Sequence, residues 1–331
     1  MNMISTVVAA LYGGSENRAP LRVARPAQIV SCLRRSATKE SELSWNEVIE
    51  SLQREDFSRE AIFLSDEANQ NSAYNLIEEG RVITLGCDCY PNFLISTMGA
   101  NAPPIFWISD PSLRKIQPWN NNDGSQRVCV AAVGCRTPPT IGLSIASEVG
   151  LWTATSGFLS VSGGALGCDS AFGKAAFNAG GEVVNLLPHG INHMSEDQWG
   201  YGMTVCPPKE EFSSGRAMER NALIYAFSHM TVVCSTRYRQ GGSWQGAASA
   251  IKANRPVVVA DWTSTGLAST IEEEAKGTYA QAQRTLANLG AHPLVLDTQS
   301  YQTQIQPALH EALDWSLGKL AGTINSGLFS A

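Results

Sequence analysis

The sequence predicts a doubly wound, mostly parallel α/β sheet, because short apolar runs alternate with helical segments over most of its length. The runs with the length and composition of buried strands are residues 81–85, 105–108, 128–133, 158–161, 182–187, 230–234, 255–260 and 292–296. Glycine-bearing turns follow three of these runs, and a helix rich in small residues follows each turn. We expect the ligand of such a sheet to bind where these turns converge, at the carboxyl ends of the strands.

The N-terminal part of the chain predicts a small helical module. Residues 26–34 and 47–52 carry apolar side chains at helical spacing, and Ser44 or Asn46 is suited to cap the second helix. The predicted organisation is a helical module, an extended α/β domain and a C-terminal helix, over residues 1–80, 81–297 and 298–331.

The first glycine-bearing turn follows the apolar run 128–133, which stops at Gly134-Cys135-Arg136. Backbone N–H groups at the start of the following helix form an anion site. A glycine lets a phosphate approach the backbone closely, and an arginine adds a charge that is never lost. This turn therefore predicts a phosphate contact at Gly134 and Arg136.

A second turn of the same kind follows the run 158–161. It reads Ser162-Gly163-Gly164, and an alanine-rich helix begins near Asp169. One such turn alone is more simply explained by tight packing of strand against helix, because short glycine motifs are weak evidence for a site. Two turns with an arginine favour an anion site.

The third turn, Gly241-Gly242-Ser243, follows the strand 230–234 and precedes a small-residue helix. Gly242 is the expected point of closest backbone approach to a phosphate. Ser243 is expected both to cap the helix and to donate a hydrogen bond to the phosphate.

The remaining segments complete the alternation of strands and helices. Residues 191–211 are predicted to be irregular, and a helix is predicted to open at 219–221. A helical pair is expected over 264–289 and a closing helix over 306–320.

Charge is distributed unevenly along the chain. The net charge of −6 argues against a protein that coats nucleic acid indiscriminately, yet residues 127–260 carry 10 basic and 8 acidic side chains, a net charge of +2. An anionic ligand is expected in this middle region. No apolar run approaches the roughly 18 residues that span a membrane, and no basic segment precedes the first apolar patch, so we expect neither a membrane segment nor a signal peptide.

The eight cysteines lack the paired spacing of a zinc site, and several lie in predicted strands. The simplest interpretation is reduced, mostly structural thiols in a cytoplasmic protein. Cys87-Asp88-Cys89 is a weak candidate for metal binding, because no matching pair follows it.

Short motifs occur in a fixed order over about residues 80–262. They are Tyr90-Pro91 with Leu94, Pro103-Pro104, Val133-Gly134-Cys135-Arg136, Ser162-Gly163-Gly164-Ala165-Leu166-Gly167-Cys168-Asp169, Arg220-Asn221, Gly241-Gly242-Ser243 with Ala247, and 257–260. The ordered set resembles the DNA-processing protein A family (DprA/Smf). Phe172 departs from the pattern, since that family usually has a histidine there.

This resemblance implies an extended Rossmann-like fold, a homodimer, and binding of single-stranded DNA in DNA processing and recombination. It also implies loading of a RecA-type recombinase during DNA uptake, as in natural transformation. The glycine turns and Arg136 would hold phosphates, with Lys174 and Arg220 nearby. The implied site is Gly134, Arg136, Ser162, Gly163, Gly164, Asp169, Lys174, Arg220, Asn221, Gly241, Gly242 and Ser243, without a catalytic residue, cofactor or metal.

A second interpretation is a nucleotide sensor or a nucleotide-processing enzyme similar to the lonely-guy phosphoribohydrolases. Those enzymes carry a PGGxGTxxE motif with a catalytic glutamate. Aligning Gly241-Gly242 on it puts Ala248 at the glutamate position, which predicts that the chain is not an enzyme of that kind. The sequence leaves open whether the ligand is a polynucleotide or a free nucleotide, and which pathway the protein serves.

Overall fold

The computed structural model describes residues 2–13, 24–36, 43–195, 199–262, 278–296 and 301–325. It divides into two compact units. The first contains Met1–Gln117 with His189–His193 and Met203–Glu211, and the second contains Pro118–Pro188, Met194–Gly202 and Phe212–Ala331. Residues 81–117, which the sequence assigned to the α/β domain, thus group with the N-terminal helices.

Within the described residues the chain forms thirteen α-helices and nine strands. The helices are α1 (Met3–Gly13), α2 (Pro26–Ser36), α3 (Trp45–Arg54), α4 (Ser58–Leu64), α5 (Glu67–Glu78), α6 (Phe93–Met98), α7 (Leu113–Ile116), α8 (Thr140–Thr155), α9 (Cys168–Asn178), α10 (Ser214–Phe227), α11 (Gly241–Lys252), α12 (Thr278–Asn288) and α13 (Tyr301–Asn325). The strands are β1 (Val82–Thr84), β2 (Ile105–Ile108), β3 (Cys129–Gly134), β4 (Leu159–Ser162), β5 (Val183–Leu186), β6 (Tyr201–Thr204), β7 (Met230–Ser235), β8 (Val257–Asp261) and β9 (His292–Val295).

The first unit combines the N-terminal helices with short antiparallel strands. The start of α3 is fixed by a capping box, in which the Ser44 hydroxyl accepts from the N–H of Glu47 and the Glu47 carboxylate accepts from the N–H of Ser44. This confirms Ser44 rather than Asn46 as the cap. Strand β2 pairs antiparallel with β1 on one side and with β6 on the other.

Strand β6 corrects the prediction that residues 191–211 are irregular. Its four residues, Tyr-Gly-Met-Thr, lie between glycine and valine, and neither their length nor their composition distinguishes them from a loop. The segment becomes a strand through pairing of Met203 and Thr204 with Ile108 and Trp107 of β2, a long-range contact that no local pattern reveals.

The second unit confirms the doubly wound, mostly parallel sheet. Its six strands are parallel and stand in the order β5-β4-β3-β7-β8-β9. Within this unit the first strand along the chain is β3, which lies in the interior of the sheet. The chain proceeds from β3 through β4 to the edge of these six strands at β5, then returns to β7 beside β3 and proceeds through β8 to the opposite edge at β9. Residues on both faces of β3, β7 and β8 are buried, as helices on both sides of a parallel sheet require. The point where the winding reverses lies between β3 and β7.

All eight predicted strands occur, and their bounds agree with the predictions to within two residues. Helix boundaries were less accurate. Helix α10 begins at Ser214 with Ser213 as its cap, so the predicted opening at 219–221 lies inside it. Helix α13 begins at Tyr301, ahead of the predicted start, with Pro307 in its interior. Of the predicted pair over 264–289, residues 264–277 lie outside the described residues.

Two observations bear on membrane and metal binding. In the parts of the chain that the structure describes, no helix combines the length and apolarity needed to cross a bilayer. Across the same residues, no group of three or more histidine, cysteine or carboxylate side chains is arranged to hold a metal ion.

The cysteines are only partly as expected. Cys87 and Cys89 form a disulfide, which corrects the prediction that the thiols are reduced. A spacing of two residues does not by itself distinguish a pair of thiols from a bridge within one turn. Within the described residues the other six cysteines form no disulfide, and five of those six are buried.

Close packing of α8 on α9 depends on a glycine. A Cβ at Gly150 would lie 2.2 Å from the carbonyl oxygen of Phe172, so a side chain there forces the two helices apart. We expect Gly150→Ala to lower the free energy of unfolding by about 1–3 kcal/mol, as overpacked cores do. Denaturant unfolding measures this change.

The matched control is Gly318→Ala on α13, where an added Cβ meets nothing within 4 Å. This variant should leave stability unchanged or raise it by up to about 1 kcal/mol, because alanine favours helix over glycine. Equal effects of the two substitutions would show that the contact between α8 and α9 is not tight.

Candidate functional site

A cleft of about 590 Å³ lies in the second unit, where the winding of the sheet reverses. The loop that follows β3, helix α10 and the turn that follows β7 all line it. Crevices at this position bind ligands in open α/β sheets because loops diverge there. The predicted site residues that line the cleft are Gly134, Arg136, Asp169, Arg220, Asn221, Gly241, Gly242 and Ser243.

Asp169 and Arg220 form a buried ion pair at the cleft. Their side chains are 8% and 6% exposed, and the distance from Arg220 Nη1 to Asp169 Oδ2 is 3.9 Å. Burial raises the pKa of Asp169 to about 6, although Arg220, two backbone N–H groups and Arg136 act in the opposite direction. Burial also lowers the pKa of Arg220.

The guanidinium of Arg220 has donors that are not used in hydrogen bonds within the described structure. Within the described structure, its Nε and Nη1 are buried without a hydrogen-bond partner. Such donors are rare in folded proteins and point to a missing acceptor. Because Arg220 also lines the cleft, an anion bound there is a suitable acceptor.

The second glycine turn supports this pair instead of lining the cleft. A Cβ at Gly163 would lie 1.7 Å from Arg220 Nη1 and 2.3 Å from Asp169 Oδ2, so only glycine leaves room for the ion pair. The buried Ser162 hydroxyl accepts from the N–H of Gly164 at 3.1 Å and donates to the carbonyl of Asp169 at 3.2 Å. This turn therefore positions Asp169.

Lys174 also lies apart from the cleft. It is exposed on α9 and is not among the residues that line the cavity. Its predicted phosphate role therefore stays a prediction.

Arg136 stands at the mouth of the cleft. It is exposed, and its guanidinium carbon lies 5.5 Å from the centre of the Phe212 ring, close enough for a cation–π contact. The ring holds the charge near the opening. Gly134 lines the cleft and also permits close packing, since a Cβ there would lie 2.3 Å from the sulfur of Cys168.

The third turn differs from the prediction in one role. Helix α11 begins at Gly241 with Gln240 at the cap position, so Ser243 lies inside the first turn and is not the cap. Its hydroxyl instead donates to the carbonyl of Gly134 at 2.6 Å, which ties α11 to the end of β3. That proton is therefore not directed at a phosphate, and the amides of the first turn are the donors this helix offers.

Arg237 and Tyr225 line the cleft as well, and neither was among the predicted site residues. Arg237 lies two residues after the end of β7, as Arg136 does after β3. It donates from Nε to the Tyr279 hydroxyl at 2.9 Å, and its guanidinium stands over the same ring. The pattern that selected Arg136, an arginine directly after a central strand, also selects Arg237. The buried hydroxyl of Tyr225 has no hydrogen-bond partner in the described structure, and no sequence pattern marks it.

The charges around the cleft suit an anion. Three arginines, Arg136, Arg220 and Arg237, line it with one carboxylate, Asp169. Ala248, the position aligned with a catalytic glutamate, lies on α11 and is not among the lining residues. The arrangement can bind phosphate by charge and by backbone amides.

Comparison with known proteins gives concordant matches. The model of a family described as DNA recombination-mediator protein A matches residues 81–291. A putative DNA processing protein DprA from Mycobacterium tuberculosis (strain H37Rv) is 27% identical over 211 residues, which cover 56% of this chain and 52% of the relative. The chain thus spans about half the length of the curated relatives it matches.

Solved structures share the fold. DNA processing protein A from Streptococcus pneumoniae has a TM-score of 0.57 at 17% identity, over 84% of this chain and 91% of that one. DNA processing protein A from Helicobacter pylori, described for its single-stranded DNA binding mode, has a TM-score of 0.51 at 17% identity, over 70% and 97%.

Proposed function

This chain belongs to the DNA recombination-mediator protein A family, and we propose that its cleft binds the phosphate backbone of single-stranded DNA during DNA processing. The observation that carries the proposal is the group of three arginines around the cleft between β3 and β7. The single-stranded DNA described for the Helicobacter pylori relative supports the choice of ligand. Contacts to phosphates give affinity without reading sequence, so we expect binding with little sequence preference.

The proposal is tested by titrating oligothymidylates of increasing length and thymidine monophosphate at several salt concentrations. Affinity should rise with length, because a longer strand offers more phosphates. If each of the three arginines neutralises one phosphate, the slope of log affinity against log salt should be about −2, since single strands contribute about −0.7 per phosphate. Equal affinity for monomer and long oligomer would contradict the proposal.

Gly242 provides a prediction within this site. A Cβ there would lie 3.0 Å from the Asn221 amide nitrogen, in the wall of the cleft. We expect Gly242→Val to weaken DNA binding by about tenfold or more, the loss of roughly one charge-assisted hydrogen bond. The melting temperature should change little, because the described atom outside the first turn of α11 that the added Cβ would approach is the Asn221 amide nitrogen, the end of a flexible side chain.

The control is Ala248→Val, which adds a branched side chain to the same helix outside the cleft. It should leave affinity unchanged. A Gly242→Val protein that melts early but binds normally in its folded fraction would remove the third turn from the site.

A free nucleotide is the second candidate ligand. The cleft volume suits one nucleotide, and the unsatisfied Arg220 and Tyr225 groups favour an anionic or polar ligand that reaches deep into the cleft. A sensor of this kind would saturate with thymidine monophosphate and show little dependence on salt or length. The titration above therefore separates the two ligands.

The wider role proposed for this protein follows from its family and not from the cleft. We propose that it acts in the cytoplasm as a homodimer and passes single-stranded DNA to a RecA-type recombinase, as in natural transformation. Light scattering tests the dimer. Co-precipitation with a RecA-type recombinase, with and without single-stranded DNA, tests the partner.

A further inference from the structure

The disulfide between Cys87 and Cys89 lies in the turn that follows β1, remote in sequence from every residue of the cleft. We propose that this pair is a redox-active site, which opens and closes by exchange with low-molecular-weight thiols of the glutathione class. The proposal is independent of DNA binding.

The short sequence separation of the two cysteines argues against a role in stabilising the fold. It joins residues only two apart in sequence. A disulfide stabilises a fold mainly by restricting the unfolded chain, and that restriction shrinks as the closed loop becomes shorter. A bridge across a single turn therefore adds little stability, and opening it is correspondingly easy.

The turn keeps its shape through hydrogen bonds that do not involve sulfur. The N–H of Cys87 donates to the carbonyl of Thr84 at 3.0 Å, and the N–H of Tyr90 donates to the carbonyl of Cys87 at 3.1 Å. The buried Tyr90 hydroxyl donates to the carbonyl of Pro103 at 2.7 Å. Both sulfurs consequently stay close together after reduction, which allows the bridge to close again.

The two sulfurs differ in access, and this difference gives the exchange a direction. Cys87 is partly exposed and its neighbour Asp88 is exposed, whereas Cys89 is 7% exposed. An external thiolate can therefore attack the sulfur of Cys87 and form a mixed disulfide there, releasing Cys89 as a thiolate. A second external thiolate then attacks the external sulfur of the mixed disulfide, which forms the external disulfide and releases Cys87 as a thiolate.

The full cycle balances in atoms, electrons and protons. Two external thiols are oxidised to one external disulfide, and the protein disulfide is reduced to two thiols, with both protons coming from the external thiols. The reverse reaction consumes one external disulfide. Cys87 is thus the exchanging residue and Cys89 the resolving residue.

The experiment follows the peptide between Arg81 and Arg114, which trypsin releases and which contains no other cysteine. The folded protein is incubated with reduced glutathione, then with oxidised glutathione, and quenched with acid, alkylated and digested after each step. Mass spectrometry should show complete conversion to the doubly alkylated peptide and then back to the bridged peptide. A bridge that opens only after unfolding, or a dithiol that oxidised glutathione does not close, would overturn the proposal.

Single substitutions test the direction of exchange. Cys89→Ser leaves the accessible Cys87, which should hold glutathione as a stable mixed disulfide. Cys87→Ser leaves the buried Cys89 and should form on the order of tenfold less adduct, because exchange depends on access. Equal adduct in the two variants, with unchanged melting temperatures, would overturn the assignment of Cys87 as the exchanging residue.

Discussion

Replacing Arg136 with alanine is expected to weaken binding of single-stranded DNA by about 1–3 kcal/mol, roughly five- to 150-fold, the effect of removing one charge-assisted hydrogen bond to a phosphate. Arg136 is exposed at the mouth of the cleft and contacts the Phe212 ring, so its removal should leave the fold intact. The salt dependence should also become shallower, by about 0.7 in slope, because one fewer phosphate is neutralised. Fluorescence anisotropy at several salt concentrations measures both changes.

Lys252→Ala is the matched control for Arg136. It removes an exposed positive charge from the last turn of α11, the end of the helix away from the cleft. Its effect on affinity should be small, because an exposed charge that touches no phosphate is screened by salt. An equal decrease in affinity in the two variants would show that overall charge, and not the cleft, governs binding.

Replacing Arg220 with alanine is expected to destabilise the protein by about 3–5 kcal/mol near neutral pH, because the buried carboxylate of Asp169 is left without its partner. The size of this destabilisation should depend on pH. The pKa of Asp169 in the folded protein is about 6, above the roughly 3.9 of an exposed aspartate. The folded state therefore favours the protonated form of Asp169.

The sign of the pH dependence follows from this difference. The contribution of Asp169 to stability is fully present below about pH 4, where even an exposed carboxyl is protonated, and is lost as pH rises through about 6. Without Arg220 the ionised form is disfavoured further, so the destabilisation should be small at about pH 5 and large at about pH 8. Denaturant unfolding at both pH values measures it.

The double variant Asp169→Asn with Arg220→Met tests the cause. It removes both charges and should recover part of the stability that Arg220→Ala removes, as paired replacement of buried ions does. A destabilisation by Arg220→Ala that is the same at both pH values would assign the effect to packing around the arginine instead of to the carboxylate.

Local patterns in the sequence determined most of the fold. The strand runs are apolar and short, and most of them are bounded by glycine or proline. These properties depend on neighbouring residues alone, so the parallel sheet and the central strands β3 and β7 were predictable. The same holds for Arg136, because an arginine directly after a central strand lies at the carboxyl edge of the sheet wherever that strand is placed. The motifs shared with the DNA-processing protein A family added the expected ligand.

Long-range contacts decided the rest. The residues of β6 become a strand only by pairing with β2, and Gly163 is required because Arg220, 57 positions later in the numbering, occupies the space beside it. The Ser243 hydroxyl donates away from the cleft because the carbonyl of Gly134 lies within reach. Each of these three features depends on which atoms the folded chain brings together. Distances between such atoms cannot be derived from the spacing of residues along the sequence.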